Sequence, residues 1–548
     1  MMTPLMFTAT ATAAEVEVMA PVEEVGSEIT LYGLDAWVDV IFLACFLVGV
    51  YFFKTMNTRS KTAVQQAQRA RAAAKAVTVE AVESDTTSPT PVSPIFVDEE
   101  KPKWRDQRAA PRIPSRSTDY HRKLNQQILA ATYSEKILDI IHDAGSTLNE
   151  VNLATAVHRI ARWSKKDPSG IVQTEDWKLL MELIRQNARS FAAQGLANTM
   201  WALGTMKIDA AGAEPVLEAL STACLEKLDS FNPQALTNTA WALATLKFKH
   251  AGLVEEIHSL CVKHLQSFNQ QDLANAAWAL ASLGALSREL LDGIGAMSLC
   301  LLPSFKPQEM ANLIWAFAVC RRPEPAVMDK VTRLVSENIS TLSSQCLSTV
   351  AWSFAKLGSK DSALCADLTH GCVSRMRFFN PRELSNTLWA FATMQYRDEQ
   401  FLELAAGAAA RLADQFSPEE LSNVMWAFGN LQFSTSSLLD NIARSVVARK
   451  TALPLHSVAN LLWAFSVLEF RTPIFYRTLA ERAGQEAGRF SPADLTTIVW
   501  AFANAGLCFP EFVGAAFDAC REKRSGFRPA EWTAVEKAFS KLDPSRSF

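Results

Sequence analysis

At 548 residues the chain is long enough for several domains or for one long repeat array. Hydrophobic residues make up 49% and charged residues 20%, the balance of a folded protein, and the formal net charge is −3. Residues 121–548 carry 42 Lys+Arg against 42 Asp+Glu, which excludes a strongly basic protein living on phosphate neutralisation but leaves room for a local basic stripe.

In chain order, residues 1–35 are acidic and hold no Lys or Arg. Residues 36–53 (AWVDVIFLACFLVGVYFF) then form an apolar run with one charge, Asp39, just long enough to cross a bilayer, with Trp37 and Tyr51 near its ends. Lys54, Arg59, Lys61, Arg69, Arg71 and Lys75 follow with no acid before Glu80. This asymmetry predicts a single transmembrane anchor with the C-terminal part on the matrix, stromal or cytosolic side. The alternatives are a hydrophobic signal ahead of an acid-free transit segment, or a core helix. Residues 54–120 read as a basic stretch running into a Ser, Thr and Pro-rich linker without packed structure.

From residue 121 onward the dominant signal is an internal repeat. Trp201, Trp241, Trp278, Trp315, Trp352, Trp389, Trp426, Trp463 and Trp500 stand in register, the first gap being 40 residues and the rest 37. Leu148 to Trp163 reads as a weak first copy, and a degenerate last copy begins at Phe527 with Lys537 in the Trp register. Each unit reads as two helices. In one copy Ser417 is a good N-cap, Pro418 suits the first helical position and Glu420 completes a capping box, so a helix is expected from there to about Leu431. Leu421, Val424, Met425, Phe428 and Leu431 share one apolar face. Asn423, Trp426 and Ala427 lie on the other side, which suggests a second buried face against the next repeat. The partner helix is expected over about 398–413, with Phe401, Leu402, Leu404, Ala405, Ala408, Ala409 and Leu412 at helical spacing. No stretch alternates with period two. The fold expected is therefore all-α, a right-handed α-solenoid of about ten 37-residue helix pairs over residues 121–548, in which stacking supplies the core.

The motif F-x-P-x-x-L-x-N-x-x-W-A-F/L-A-x-L, seen at Phe231–Leu246, Phe379–Met394 and Phe416–Leu431, resembles the octotricopeptide repeat. It is also similar to helical-repeat subunits of protist mitochondrial RNA-editing complexes and, more distantly, to FAST-kinase-like proteins. The resemblance covers about residues 145–545, with Leu342 and Leu453 in place of the opening Phe and Thr349 and Thr497 in place of the Asn. It implies sequence-selective binding of single-stranded RNA in a mitochondrion or plastid, in RNA processing, editing, stability or translation. An armadillo-like protein-interaction scaffold, membrane-tethered, is the alternative, and the even charge balance favours it.

The third residue after the opening Phe varies in a manner that suits one polar reader per repeat: Gln194, Gln234, Gln271, Gln308, Gln345, Arg382, Glu419 and His456. The competing reading is an exposed first-turn position that tolerates any polar residue. Basic residues near helix ends, Lys207, Lys247, Lys249, Arg321, Arg322, Lys356, Arg375 and Arg377, are candidates for phosphates. The Trp series could stack on bases but is expected in the inter-repeat core. The Asn series is expected to satisfy loop carbonyls of the adjacent unit, with a polar ladder along a groove as the alternative. No Walker A loop, GxGxxG, HExxH or nucleophile motif occurs, so no enzyme, cofactor, metal or small-molecule substrate is expected. The ten cysteines form no CxxC pair and read as buried free thiols.

Overall fold

The computed structural model describes residues 119–164 and 167–545. The candidate membrane span 36–53 and its flanks lie outside them, and among the described residues no helix is long and apolar enough to cross a membrane. Those residues hold 24 α-helices, joined by short 3-10 turns, and no strand.

The helices form two series. The motif helices run Glu150–Trp163, Ala193–Met206, Pro233–Leu246, Gln270–Leu283, Pro307–Val319, Ser344–Lys356, Pro381–Met394, Pro418–Leu431, Leu455–Val467, Pro492–Ala505 and Pro529–Leu542. A partner helix separates each pair of motif helices, for example Glu399–Leu412. Each motif helix packs on the motif helices before and after it, and the partner helices pack on one another as a second layer. The two degenerate end copies keep the fold, with His158 and Lys537 in the Trp register. One further helix, Asp119–Ala130, packs on the first motif helix. The three extra residues before Trp241 fall in the loop after Met206, where the Asp209 carboxylate accepts from Ala211 and Gly212 N–H at 3.3 and 3.1 Å.

Local chemistry explains where the helices start and stop. Ser417 Oγ accepts from Glu420 N–H at 3.2 Å while Glu420 Oε2 accepts from Ser417 N–H at 2.9 Å, the reciprocal capping box expected. The apolar face Leu421, Val424, Met425, Phe428, Leu431 is buried throughout. In the partner helix Phe401, Leu402, Ala405, Ala408 and Ala409 are buried, whereas Leu404 is 42% exposed, because the angle it occupies faces water rather than the motif layer. Leu342 and Leu453 are buried in the pocket that Phe191 and Phe416 fill in other copies.

Motif helices approach one another more closely than partner helices do, because the residues between them are small. A Cβ on Gly429 would stand 2.8 Å from Trp463 Cζ3, and one on Gly204 would stand 3.1 Å from Ala242 Cα. Hydroxyls tie successive repeats at the same level: Ser348 Oγ donates to Glu383 O at 3.0 Å and Ser385 Oγ to Glu420 O at 3.2 Å. Thr237 donates to the Asp272 carboxylate at 3.3 Å. Burial, the largest influence, holds the Asp272 carboxyl above its ordinary range despite the hydrogen bonds from Asn269 and Thr237. A raised folded-state pKa means a stability contribution present at acid pH and lost as pH rises through that value. Asp272→Asn should therefore gain on the parent between pH 4 and pH 7 in urea denaturation. An equal difference at both pH values would count against it.

Six positions past the Trp, every one of the nine regular motif helices ends on a left-handed residue: Lys207, Lys247, Gly284, Arg321, Gly358, Gln395, Gln432, Glu469 and Gly506. The next N–H returns to a carbonyl inside the helix, as Phe248 does to Leu243 at 3.0 Å and Tyr396 to Phe391 at 3.0 Å, which closes the helix end. Nothing lies within 4 Å of a Cβ built on Gly506, so Gly506→Ala isolates the backbone cost. It should destabilise by about 1 kcal/mol in thermal or urea unfolding. No change would argue that this end is frayed in solution.

The cysteines only partly meet the expectation. Cys224, Cys261, Cys346, Cys365, Cys372 and Cys520 are buried free thiols, with burial pushing Cys224 up to about 12. Cys300 and Cys508 are exposed and Cys320 is half-buried, since they sit at helix ends and in a loop at the rim of the layers.

Candidate nucleic-acid interface

Within a motif helix the candidate reader, the Asn and the Trp are four and three residues apart, as in Gln308, Asn312 and Trp315. At 100° per residue this spacing puts all three on one stripe. The stripe lies at the open edge of the motif layer, with the Trp partly packed on the preceding motif helix, as Trp463 is on Gly429. Gln194, Gln234, Gln271, Gln308, Gln345, Arg382, Glu419 and His456 are all exposed. Asn198, Asn238, Asn275, Asn312, Asn386, Asn423 and Asn460 are half-buried beside them, as are all nine tryptophans.

This corrects the expected second buried face. Ala427 is fully buried, whereas Asn423 and Trp426 are half-buried: close approach of the helices leaves room only for small residues between them, and the indoles pack against the core and the adjacent repeat with one edge left open. The large indoles are displaced to the rim, where they meet each other. Trp278 and Trp315 have ring centroids 6.1 Å apart, Trp315 and Trp352 6.4 Å, and Trp352 and Trp389 6.4 Å, with planes within 25–38°. His158 continues the row in the first copy, 5.1 Å from Trp201, and burial, followed by the charges of Arg162 and Arg159, lowers its pKa. Among the described residues none of the nine indole N–H groups has a protein acceptor, and none is buried.

The Asn series is also placed differently from expectation. Gln194 Nε2 donates to Asn198 Oδ1 at 2.9 Å and Gln308 Nε2 to Asn312 Oδ1 at 2.9 Å, so two repeats present a joined amide pair rather than a bond to an adjacent loop. The carbonyls of the 3-10 corners are instead taken by cations from the following partner helix. Lys227 Nζ donates to Phe191 O at 2.7 Å, Arg449 Nη1 to Phe416 O at 2.6 Å and Lys523 Nζ to Phe490 O at 2.7 Å. Arg375 does the same for Ser340 O, which removes it from the phosphate candidates.

The remaining basic candidates divide. Arg322 is engaged by Asp292 at 3.0 Å and is thereby diverted from the open face. Lys247 and Arg321 are helix terminators first, although their side chains are exposed. Lys356 lies on the stripe itself, four residues after Trp352, its ammonium 5.6 Å from the Trp352 ring centroid and 5.4 Å from that of Trp389. Burial, and then the charge of Arg321, pull its pKa below the ordinary lysine value. The aromatic row and its partner Lys356 were not anticipated together, although the four-and-three spacing of Gln, Asn and Trp was readable in the copies of Trp201, Trp241, Trp278 and Trp315.

The arrangement offers an indole in each of the nine regular copies, a polar reader in eight of them and an Asn amide in seven, along a single face. In the copies of Trp201, Trp241, Trp278 and Trp315 the reader, the Asn and the Trp carry no formal charge. Such a surface suits a ligand that is itself a regular polymer carrying hydrogen-bonding groups and flat rings.

Among known proteins, a family model described as the N-terminal domain of the Tbc2 translation factor matches residues 172–322, four of the regular copies and well under half of the chain. No curated protein matches the sequence. Among solved structures the chain is similar to one titled "Homology model of the full-length AP-3 complex in an intermediate open conformation", at 10% identity over 78% of this chain and 90% of that one. The TM-score of that pair is 0.23, too low to carry an argument.

Proposed function

We propose that this chain is an RNA-binding helical-repeat protein of organelle RNA metabolism that acts by binding rather than by catalysis. Single-stranded RNA lies along the open face of the motif helices, roughly one nucleotide per repeat and about ten in all. The observation that carries this reading is the row Gln194 to His456: one exposed, variable polar side chain per repeat, beside an otherwise regular row of indoles. The match of residues 172–322 to a translation-factor domain supports a role in translation; processing, editing or stability of transcripts in a mitochondrion or plastid is what the repeat resemblance implies. Residues 36–53 would hold the array at a membrane.

The even charge of residues 121–548 favours a second reading, a scaffold that holds a protein partner on the same face. Crosslinking of the tagged protein in cells, followed by sequencing of bound RNA, separates the two. Enrichment of a few organelle transcripts with a shared footprint near ten nucleotides is expected. Gln271→Ala, Gln308→Ala and Gln345→Ala should each weaken binding to the recovered sequence about fivefold to tenfold, the loss of roughly one hydrogen-bonded contact. Recovery of no RNA above background, together with a stable co-purifying protein, would replace this reading with the scaffold.

A further inference from the structure

The centre of the open face differs from the rest of it. Ring-to-ring contact is continuous from Trp278 through Trp315 and Trp352 to Trp389. The rings are held at fixed tilts by the close packing of their helices, yet part of each remains open. Beside this run stands Lys356, its ammonium 5.6 and 5.4 Å from the Trp352 and Trp389 ring centroids, and Arg321, exposed at the end of the preceding motif helix, is near enough for its charge to add to the lowering of the Lys356 pKa. Among the described residues neither has a carboxylate partner. Other cations of the array are engaged, Arg322 by Asp292 and Arg449 by the Phe416 and Ala413 carbonyls. Two like charges brought near each other, one of them partly stripped of water by two indoles, favour an anion beside them.

We propose that this segment is the anchor of the bound strand: bases stack on the open indole surfaces from Trp278 to Trp389, and two phosphodiester groups sit at Lys356 and Arg321. The proposal rests on the RNA reading and deepens it by dividing the labour on one face. The indole row supplies sequence-tolerant affinity, since every base has a flat face, and the Gln row supplies choice. The ammonium of Lys356 uses the rings only as a π bed, so its N–H donors stay available to phosphate oxygens. Because only two charges take part, binding responds weakly to salt, unlike that of a basic protein.

The test is fluorescence anisotropy of a labelled, randomised single-stranded RNA dodecamer against the full chain over a range of salt concentrations. The double variant Lys356→Met, Arg321→Gln should lower the slope of log affinity against log salt by about 1.4, two phosphates at about 0.7 each. Trp315→Leu should weaken binding about tenfold at every salt concentration and leave the slope alone, and Trp315→Phe, which keeps a ring and guards against misfolding, should recover most of the loss. An unchanged slope in the double variant overturns the phosphate sites, and unchanged affinity in a folded Trp315→Leu overturns the stacking row, with the RNA reading intact in both cases. Failure of the unmodified chain to bind the dodecamer at any salt concentration overturns the RNA reading itself.

Discussion

Phe465→Ala is expected to cost about 4 kcal/mol and to split the unfolding of the array into two transitions. Phe465 is fully buried, with its ring centroid 4.2 Å from that of Phe475 in the following partner helix and 5.5 Å from that of Phe470 in the connecting turn. Truncation removes most of that burial and leaves a cavity between two layers that cannot collapse, because the neighbouring motif helices are already in close contact. In a stacked array each repeat draws its stability from its own packing and from the interface with its neighbours, so the damage stays local. Urea unfolding followed by circular dichroism should show the added transition, and hydrogen exchange should show protection lost first over residues 455–485. A single transition shifted as a whole would mean that the array unfolds as one cooperative unit.

The second large effect lies at a corner rather than in the core. Arg449 donates through Nη1 to Phe416 O at 2.6 Å and through Nη2 to Ala413 O at 3.0 Å and Ser445 Oγ at 2.6 Å. Ala413 O also accepts from Ser445 Oγ at 3.0 Å, so the guanidinium and a buried hydroxyl together satisfy one repeat boundary. Arg449→Ala would leave the Phe416 carbonyl without its partner in a half-buried corner and should cost about 2–3 kcal/mol. Lys227 and Lys523 do the same work with one ammonium in their own repeats, so Arg449→Lys should recover about half of the loss. Thermal unfolding of the three proteins checks this. If Arg449→Lys is as unstable as Arg449→Ala, the fork of the guanidinium matters, and not its charge at that point.

Much of the fold was legible in the residue order because the repeat tests itself. A 37-residue period over the tryptophans, an N-cap at Ser417 with Glu420 three residues on, and apolar spacing from Leu421 to Leu431 all depend on neighbours within one helix, and the structure bears them out. The end copies were readable too, since Leu148 and Phe527 keep the opening position even where the Trp has become His158 and Lys537.

The open face was harder to read. The angular position of Asn423 and Trp426 follows from their spacing, but whether that arc meets a neighbouring helix or water does not. The answer came from how near two motif helices can approach, which is set by the small residues Gly429 and Ala464 of adjacent repeats acting together. The fate of the basic residues was beyond sequence reading for the same reason. Arg322 and Lys356 look alike along the chain, and only the fold sets one against Asp292 and the other against two indoles.

The sequence by itself thus determined the helix pairs, the capped start at Ser417 and an array of about ten units, because these arise from interactions a few residues apart and are repeated often enough to be unmistakable. The tertiary structure alone decided which stripe of each motif helix stays open, which cations are consumed at the corners, and that four indoles, Trp278 to Trp389, form one continuous row. Those outcomes depend on distances between residues some 37 positions apart, which no local pattern encodes.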